Sequence, residues 1–205
     1  MKILLIDDHA VVRAGVRRLL ASEVDVLILE ADSSEGALDI YRHDRPDLVV
    51  LDLNLIGSSG LELIRRLVQL DKSSKILVLS MHSEPVYAAR ALQVGARGYV
   101  SKSASADEFV DAVRQVGKGG RYIEREIAAE LAVGKFSKID PLDQLTVREI
   151  DILRLLGEGK SYTQIAAVLG VSYKTIANSS SVIREKLAVE TTADLIRLSV
   201  ENRKK

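Results

Sequence analysis

The stretch Leu48-Val49-Val50-Leu51-Asp52 is apolar on both faces and ends in a carboxylate. A strand can be apolar on both faces only where layers cover it above and below, which is the setting of a central strand in a parallel sheet. Residues 2–6, 24–29, 75–80 and 98–100 form further short apolar runs. Segments 10–22, 33–43, 60–70, 84–94 and 106–118 carry apolar side chains at helical spacing, as Val12, Val16, Leu19 and Leu20 do. Five strands alternating with five helices imply an α/β fold: a five-stranded parallel, doubly wound sheet with right-handed crossovers.

Open sheets of this kind bind ligands beyond the carboxyl ends of their strands. Asp7 and Asp8 follow the first run, Asp52 the third, Ser80 closes the fourth, and Ser101 and Lys102 follow the fifth. Singly, an Asp at a strand end is usually a turn or helix-capping residue. Together, three acids, a hydroxyl and a lysine on one rim suit a divalent cation and a phosphoryl group. Clustered carboxylates repel unless a cation joins them, and hard oxygen donors favour Mg²⁺ or Mn²⁺ over zinc. His9 reads as a helix-start residue and is left out of the set. An ionised Asp52 beside such a metal, with Lys102 as a second positive group, is a usable nucleophile toward a phosphoryl donor. Ser80 can hydrogen-bond the new phosphoryl oxygens, and Tyr99 can fill the space vacated if Ser80 moves inward.

The pattern weakens after residue 121. Residues 127–133 could form a short helix, and Gly134, Lys135, Ser137, Lys138, Asp140 and Pro141 read as a tether. No convincing strand follows. Thr146-x-x-Glu149 and Ser161-x-x-Gln164 are capping boxes, Ser172 opens a longer helix over residues 173–187, and Thr191 or Thr192 opens a last one. Helix, short helix, turn at Gly170 and longer helix make a helix-turn-helix arrangement within a small all-α, four-helix domain.

No run approaches the ~18 apolar residues of a membrane span, so a soluble protein with no membrane partner is expected. No cleavage-site pattern marks a signal peptide. Zero cysteines exclude disulfides and thiolate zinc sites and fit a reducing cytoplasm. A net charge of zero gives no bulk attraction for nucleic acid.

Asp7-Asp8, Asp52, Ser80, Tyr99 and Lys102, in this order and spacing, resemble the receiver domain of two-component response regulators. Leu145-Thr146-Val147-Arg148-Glu149, Gly159-Lys160-Ser161, Ile165-Ala166, Lys174-Thr175-Ile176 and Ile183-Arg184-Glu185-Lys186-Leu187 resemble the DNA-binding module of the NarL/FixJ/LuxR class. The resemblance implies a receiver over residues 1–122, a linker over 123–141 and a helix-turn-helix domain over 142–205. It implies phosphorylation of Asp52 by a sensor histidine kinase, Mg²⁺ held by Asp8, Asp52 and the main-chain carbonyl of Asn54, and Asp7 assisting through water. Ser80 and Lys102 would meet the phosphoryl oxygens, Tyr99 would be the switch aromatic, and phosphorylation would release or dimerise the helical domain on double-stranded DNA.

Two departures stand out. Leu55-Ile56 replaces the family's usual Met-Pro, which removes no ligand. The helix after Thr175-Ile176 continues Ala177, Asn178, Ser179, Ser180, Ser181, Val182, with few of the basic side chains that supply affinity for phosphates. Residues 141–205 hold ten basic and eight acidic side chains, against 17 and 18 in residues 1–125. Lys174, Asn178, Arg184 and Lys186 remain as candidate DNA contacts, with Lys160 and Tyr173 near the backbone and Ser179 among the serines able to bond phosphates or bases. An alternative is a receiver whose helical domain serves protein interaction or dimerisation. A third, an Mg²⁺-dependent phosphohydrolase, lacks the second acid such enzymes place two residues on, where this chain has Asn54; only slow self-dephosphorylation is expected. The last helix carries Ala193, Leu195, Ile196, Leu198 and Val200, more than one buried stripe needs, so one side suits a homodimer contact.

Overall fold

β3 (Leu48–Leu51) is buried at all four positions. On one side it pairs with β1 (Lys2–Ile6), and on the other with β4 (Ile76–Ser80). In the computed structural model the described residues are 1–21, 26–55, 59–133 and 145–202. The expected strand start at Val24, the loop residue Ile56 and the tether from Gly134 to Pro141 lie outside them. With β2 (Leu27–Ala31), β5 (Gly98–Ser101) and β6 (Tyr122–Ile123), the sheet runs in the order β2-β1-β3-β4-β5-β6, parallel throughout.

The connecting helices are α1 (Ala10–Leu20), α2 (Ser34–Asp44), α3 (Gly60–Leu70), α4 (Pro85–Gln93) and α5 (Ala106–Gly117). Because side chains alternate along a strand, each central strand supplies both layers of core. Ile3, Leu5, Val50 and Leu77 pack with Val16 of α1 and Phe109 of α5. The alternate residues Leu4, Ile6, Val49 and Val78 are fully buried on the other face. Each such side chain contributes about 1.5–3 kcal/mol relative to leaving it in water.

Two elements differ from the sequence pattern. β2 lies at Leu27–Ala31 rather than at 24–29, because pairing with β1, Lys2 opposite Leu27 and Ile6 opposite Ala31, sets its register. It is an edge strand with Leu27 exposed, so hydrophobicity does not mark the paired residues. The sheet also has a sixth strand beyond the expected five. β6 is two residues long, too short for alternation to be read. It is held by Tyr122 N–H donating to Arg97 O at 3.1 Å and Glu124 N–H donating to Tyr99 O at 3.0 Å. α6 (Arg125–Val133) follows and packs on α4.

The chain divides into two compact units, Met1–Val133 and Gly134–Lys205. The described part of the second consists of α7 (Val147–Gly157), α8 (Tyr162–Val168), α9 (Tyr173–Lys186) and α10 (Thr192–Asn202). Both capping boxes are formed, by Thr146 with Glu149 and by Ser161 with Gln164. Ser172 Oγ accepts from Thr175 N–H at 3.1 Å to start α9, and Thr191 Oγ1 accepts from Asp194 N–H at 3.2 Å before α10. Gly170, at φ +64°, makes the left-handed turn between α8 and α9, a conformation that favours glycine.

Gly60 opens α3 directly beneath the end of β3. A Cβ there would lie 2.5 Å from Leu53 Cα and 2.8 Å from the carbonyl oxygens of Asp52 and Leu53. Backbone cannot yield as a side chain can, so Gly60→Ala is expected to cost about 1–3 kcal/mol. Urea unfolding should show a lower midpoint with an unchanged slope, and an unchanged midpoint would contradict this packing.

Candidate functional site

In the order β2-β1-β3 the chain leaves β1 for β2 on one side and returns to β3 on the other. A crevice therefore opens at the carboxyl ends of β1 and β3. Asp7 and Asp52 are the residues next after those strands, and Asp52 N–H donates to Ile6 O at 2.9 Å. Both carboxylates are almost wholly buried, at 1% and 2% exposure.

The Lys102 ammonium donates to Asp7 Oδ2 at 2.6 Å and to Asp52 Oδ2 at 2.7 Å. The strand end sets its position: Lys102 N–H donates to Ser80 O at 2.7 Å, so its side chain enters from the neighbouring strand. Carboxylate oxygens of Asp7, Asp8 and Asp52 and a ring nitrogen of His9 lie within 4.8 Å of one another. His9 Nδ1 stands 2.7 Å from Asp8 Oδ1 and 3.1 Å from Asp7 Oδ1, with its ring largely in solvent. The sequence pattern had set His9 aside. Its signal was its place immediately after Asp8, as the N-cap of α1.

Three carboxylates against one ammonium leave two negative charges in a space a few ångströms across. The donors are hard oxygens, with one imidazole at the exposed lip. This charge and donor set fits one small divalent cation such as Mg²⁺.

Asn54 N–H donates to Asp52 Oδ1 at 3.2 Å, and the Asn54 amide lies 3.0 Å from His82 Nε2. Ser80 is fully buried, and its Oγ accepts from His82 N–H at 3.2 Å. Tyr99 is also fully buried, with its hydroxyl donating to His82 O at 2.8 Å. The His82 ring stacks on Tyr87 of α4, with centroids 4.0 Å apart. His82 thus touches Asn54, Ser80, Tyr99 and α4. The sequence pattern missed it, because a His two residues past a strand has no distinguishing period.

Glu124 was also missed. Ser101 N–H points to the β6 side, where β6 has already ended. The Glu124 carboxylate accepts it at 2.6 Å, in place of the next ladder carbonyl. A buried N–H left unpaired would cost about 1–3 kcal/mol.

In the second unit, the candidate contacts fall into two groups. Lys160 Nζ is 2.6 Å from Glu158, and Lys186 Nζ is 2.8 and 2.7 Å from the two oxygens of Glu149. Arg184 donates to Glu190 O at 3.2 Å and to Ser181 Oγ at 3.0 Å. These cations secure the helices. Ser179 is half-buried. Lys174 and Asn178 are exposed, and their side chains have no hydrogen bond or ion pair among the described residues. Tyr173 is 57% exposed, its ring tilted against Tyr162. Ser180, by contrast, is buried and bonded to Tyr162 Oη at 2.6 Å, so it faces inward.

Comparison with known proteins covers both units. Residues 3–114 match the model of the response regulator receiver domain, and residues 143–199 match that of the bacterial regulatory proteins of the luxR family. The chain is 37% identical over 199 residues to the methanol utilization control regulatory protein MoxX of Paracoccus denitrificans, covering 96% of this chain and 89% of that one. It resembles a crystal structure of a LuxR-family two-component response regulator from Aurantimonas sp. SI85-9A1, at 38% identity and a TM-score of 0.62, over 64% of this chain and 95% of that one. It also resembles the response regulator RcsB in a DNA complex, at 27% identity and a TM-score of 0.61, over 98% of both chains.

Burial and hydrogen bonding move two groups of the pocket. Burial alone would lower the Lys102 pKa, but hydrogen bonds and charge from Asp52 and Asp7 outweigh it and hold it above the usual 10.5. Burial pushes the Tyr99 hydroxyl well above its usual 10. Both groups keep their protons in the folded chain at a pH where the unfolded chain releases them. The stability they confer is therefore complete below about pH 10 and falls as pH rises above it. Urea midpoints measured from pH 9 upward should decline, more shallowly for Tyr99→Phe; equal slopes would contradict the shift at Tyr99.

Proposed function

The chain belongs to the two-component response regulators that join a receiver domain to a LuxR-family regulatory domain, and on that premise we propose that it is a DNA-binding transcription regulator switched by phosphorylation of Asp52 by a sensor histidine kinase. On this reading residues 1–122 act as the receiver, 123–141 as the linker and 142–205 as the helix-turn-helix domain. The observation that carries the proposal is the buried Lys102 ammonium shared between Asp7 and Asp52.

Asp8, Asp52 and the Asn54 main-chain carbonyl would hold Mg²⁺, with Asp7 assisting through water. Mg²⁺, when bound, neutralises the acidic pocket and polarises the incoming phosphoryl group. An Asp52 carboxylate oxygen forms a bond to phosphorus as the bond from phosphorus to the kinase's histidine nitrogen breaks, and that imidazole regains a proton from solvent. The Lys102 ammonium and the Ser80 hydroxyl donate to the phosphoryl oxygens. Water later attacks phosphorus, the bond to the Asp52 oxygen breaks, and inorganic phosphate leaves with Asp52 again a free carboxylate. Ser80 in its new position draws the segment carrying His82, and Tyr99 loses or changes its acceptor there.

The α9 helix would meet duplex DNA, the setting in which RcsB was solved. Lys174 is the best supported of the contacts Lys160, Tyr173, Lys174, Asn178, Ser179, Arg184 and Lys186, because its charge has no partner among the described residues. Ile196 and Val200 lie exposed on α10 and suit a homodimer contact. No helix among the described residues is long and apolar enough to cross a membrane, and a regulator of transcription works in the cytoplasm.

Two measurements test the proposal. Asp52→Asn should abolish phosphoryl uptake from acetyl phosphate in the presence of Mg²⁺ while leaving the circular dichroism unchanged; continued uptake would show another acceptor. Duplex binding should weaken as salt is raised, and Lys174→Ala should reduce the slope of log affinity against log salt by about 1. A slope near zero in the unaltered chain would favour a protein-interaction role for the helical domain.

A further inference from the structure

If α9 reads DNA, its exposed face also limits which bases it can read. Lys174, Asn178 and Val182 are spaced four apart, so they form one stripe along the helix. All three are exposed, Val182 at 42%. The two cations nearest the far end of α9 are withdrawn from this stripe: Arg184 is held by Glu190 O and Ser181, and Lys186 by Glu149. Ser181, beside the stripe, is itself occupied, donating to Ala177 O at 3.2 Å. No arginine is left free on this helix to take the two acceptors of a guanine. Among the described residues, the exposed side chains at its centre with no hydrogen bond are the Asn178 amide and the branched apolar Val182.

These two groups have matched partners in the major groove. A side-chain amide can donate to adenine N7 and accept from its N6 amino group, and an apolar side chain packs on the thymine methyl. Successive members of the stripe are about 6 Å apart along the helix axis. That is close to two base-pair steps of about 3.4 Å.

We propose that Asn178 is the specificity-determining residue of this chain, reading an adenine in the major groove, with Val182 against a thymine methyl about two base pairs away. The inference rests on the DNA-binding reading and deepens it: the preferred half-site is centred on A·T pairs, and Lys174 adds affinity without sequence preference.

The full chain, phosphorylated with acetyl phosphate and Mg²⁺, is used to select duplexes from a random-core pool, and the winning duplex is then altered atom by atom. Replacing the key adenine by 7-deazaadenine, which lacks N7, should weaken binding about tenfold or more. Replacing the thymine about two base pairs away by uracil, which lacks the methyl group, should cost less and should depend on Val182. Asn178→Ala should bind natural and 7-deaza duplexes equally, while Asn178→Gln should keep part of the discrimination. Asn178 is exposed on the helix and alanine favours helix, so the variant should fold; Lys174→Ala serves as the control, lowering affinity for both duplexes by the same factor. Selection of a specific duplex whose 7-deaza forms bind as well as the parent, or whose discrimination survives in Asn178→Ala, overturns the assignment and leaves the DNA-binding reading standing. Failure to bind any duplex overturns both.

Discussion

Two ionised carboxylates side by side in a protein interior repel strongly unless a cation joins them. Asp7 and Asp52 are brought together because β1 and β3 are neighbours in the sheet, and both are almost fully removed from water. Desolvating each charge costs several kcal/mol, so the pair persists only through the Lys102 ammonium that bonds both. The ammonium in turn depends on β5, where Lys102 N–H is tied to Ser80 O. On the proposed reading, converting Asp52 to an acyl phosphate would move its charge outward onto the phosphoryl oxygens, and Lys102 and Ser80 would have to change partner to reach those oxygens.

On the proposed reading such a change would travel through identifiable contacts between the ends of β4 and β5 and the neighbouring helices. His82 accepts from Tyr99 at its carbonyl and stacks on Tyr87 of α4 with its ring. Glu124 holds the end of β5 from the other side and stands immediately before α6, which packs on α4. On that reading a displaced β4 end would act on α4 through His82, and a displaced β5 end on α6 through Glu124. Neither route requires the sheet itself to deform, which its close packing would resist.

Much of this was legible in the sequence because it rests on periodicity and on strand ends. β3 and β4 are apolar on both faces, α3 begins and ends where Gly60 and Leu70 mark it, and the capping boxes of α7 and α8 announce themselves three residues apart. Asp7, Asp8, Asp52 and Lys102 could be placed on one rim because each stands within two residues of a strand's end. What escaped notice depends on tertiary pairing. The register of β2 is set by β1, and β6 exists only because β5 offers an edge. His82 and Glu124 act through a main-chain carbonyl, a ring face and a replaced ladder bond, none of which has a sequence period. In α9, sequence could count cations but could not tell which were already paired.

That distinction governs the helical unit. Tyr162 Oη joins Ser180 Oγ at 2.6 Å and Thr192 Oγ1 at 3.0 Å, so one half-buried hydroxyl cluster ties α8, α9 and the start of α10. Lys186 secures the start of α7 through Glu149, and Arg184 secures the turn before α10 through Glu190. A cation used to hold the fold contributes less to neutralising phosphates, so the face left to DNA is thinly charged. For a regulator this weakness is useful. A single copy with few phosphate contacts binds poorly at physiological salt. If two copies pair on phosphorylation, as proposed, the second encounter would become intramolecular, at an effective concentration on the order of millimolar, and the gain from pairing would be several powers of ten. The less each copy binds alone, the more completely occupancy depends on the step that brings two together, and the more closely transcription can follow the charge on Asp52.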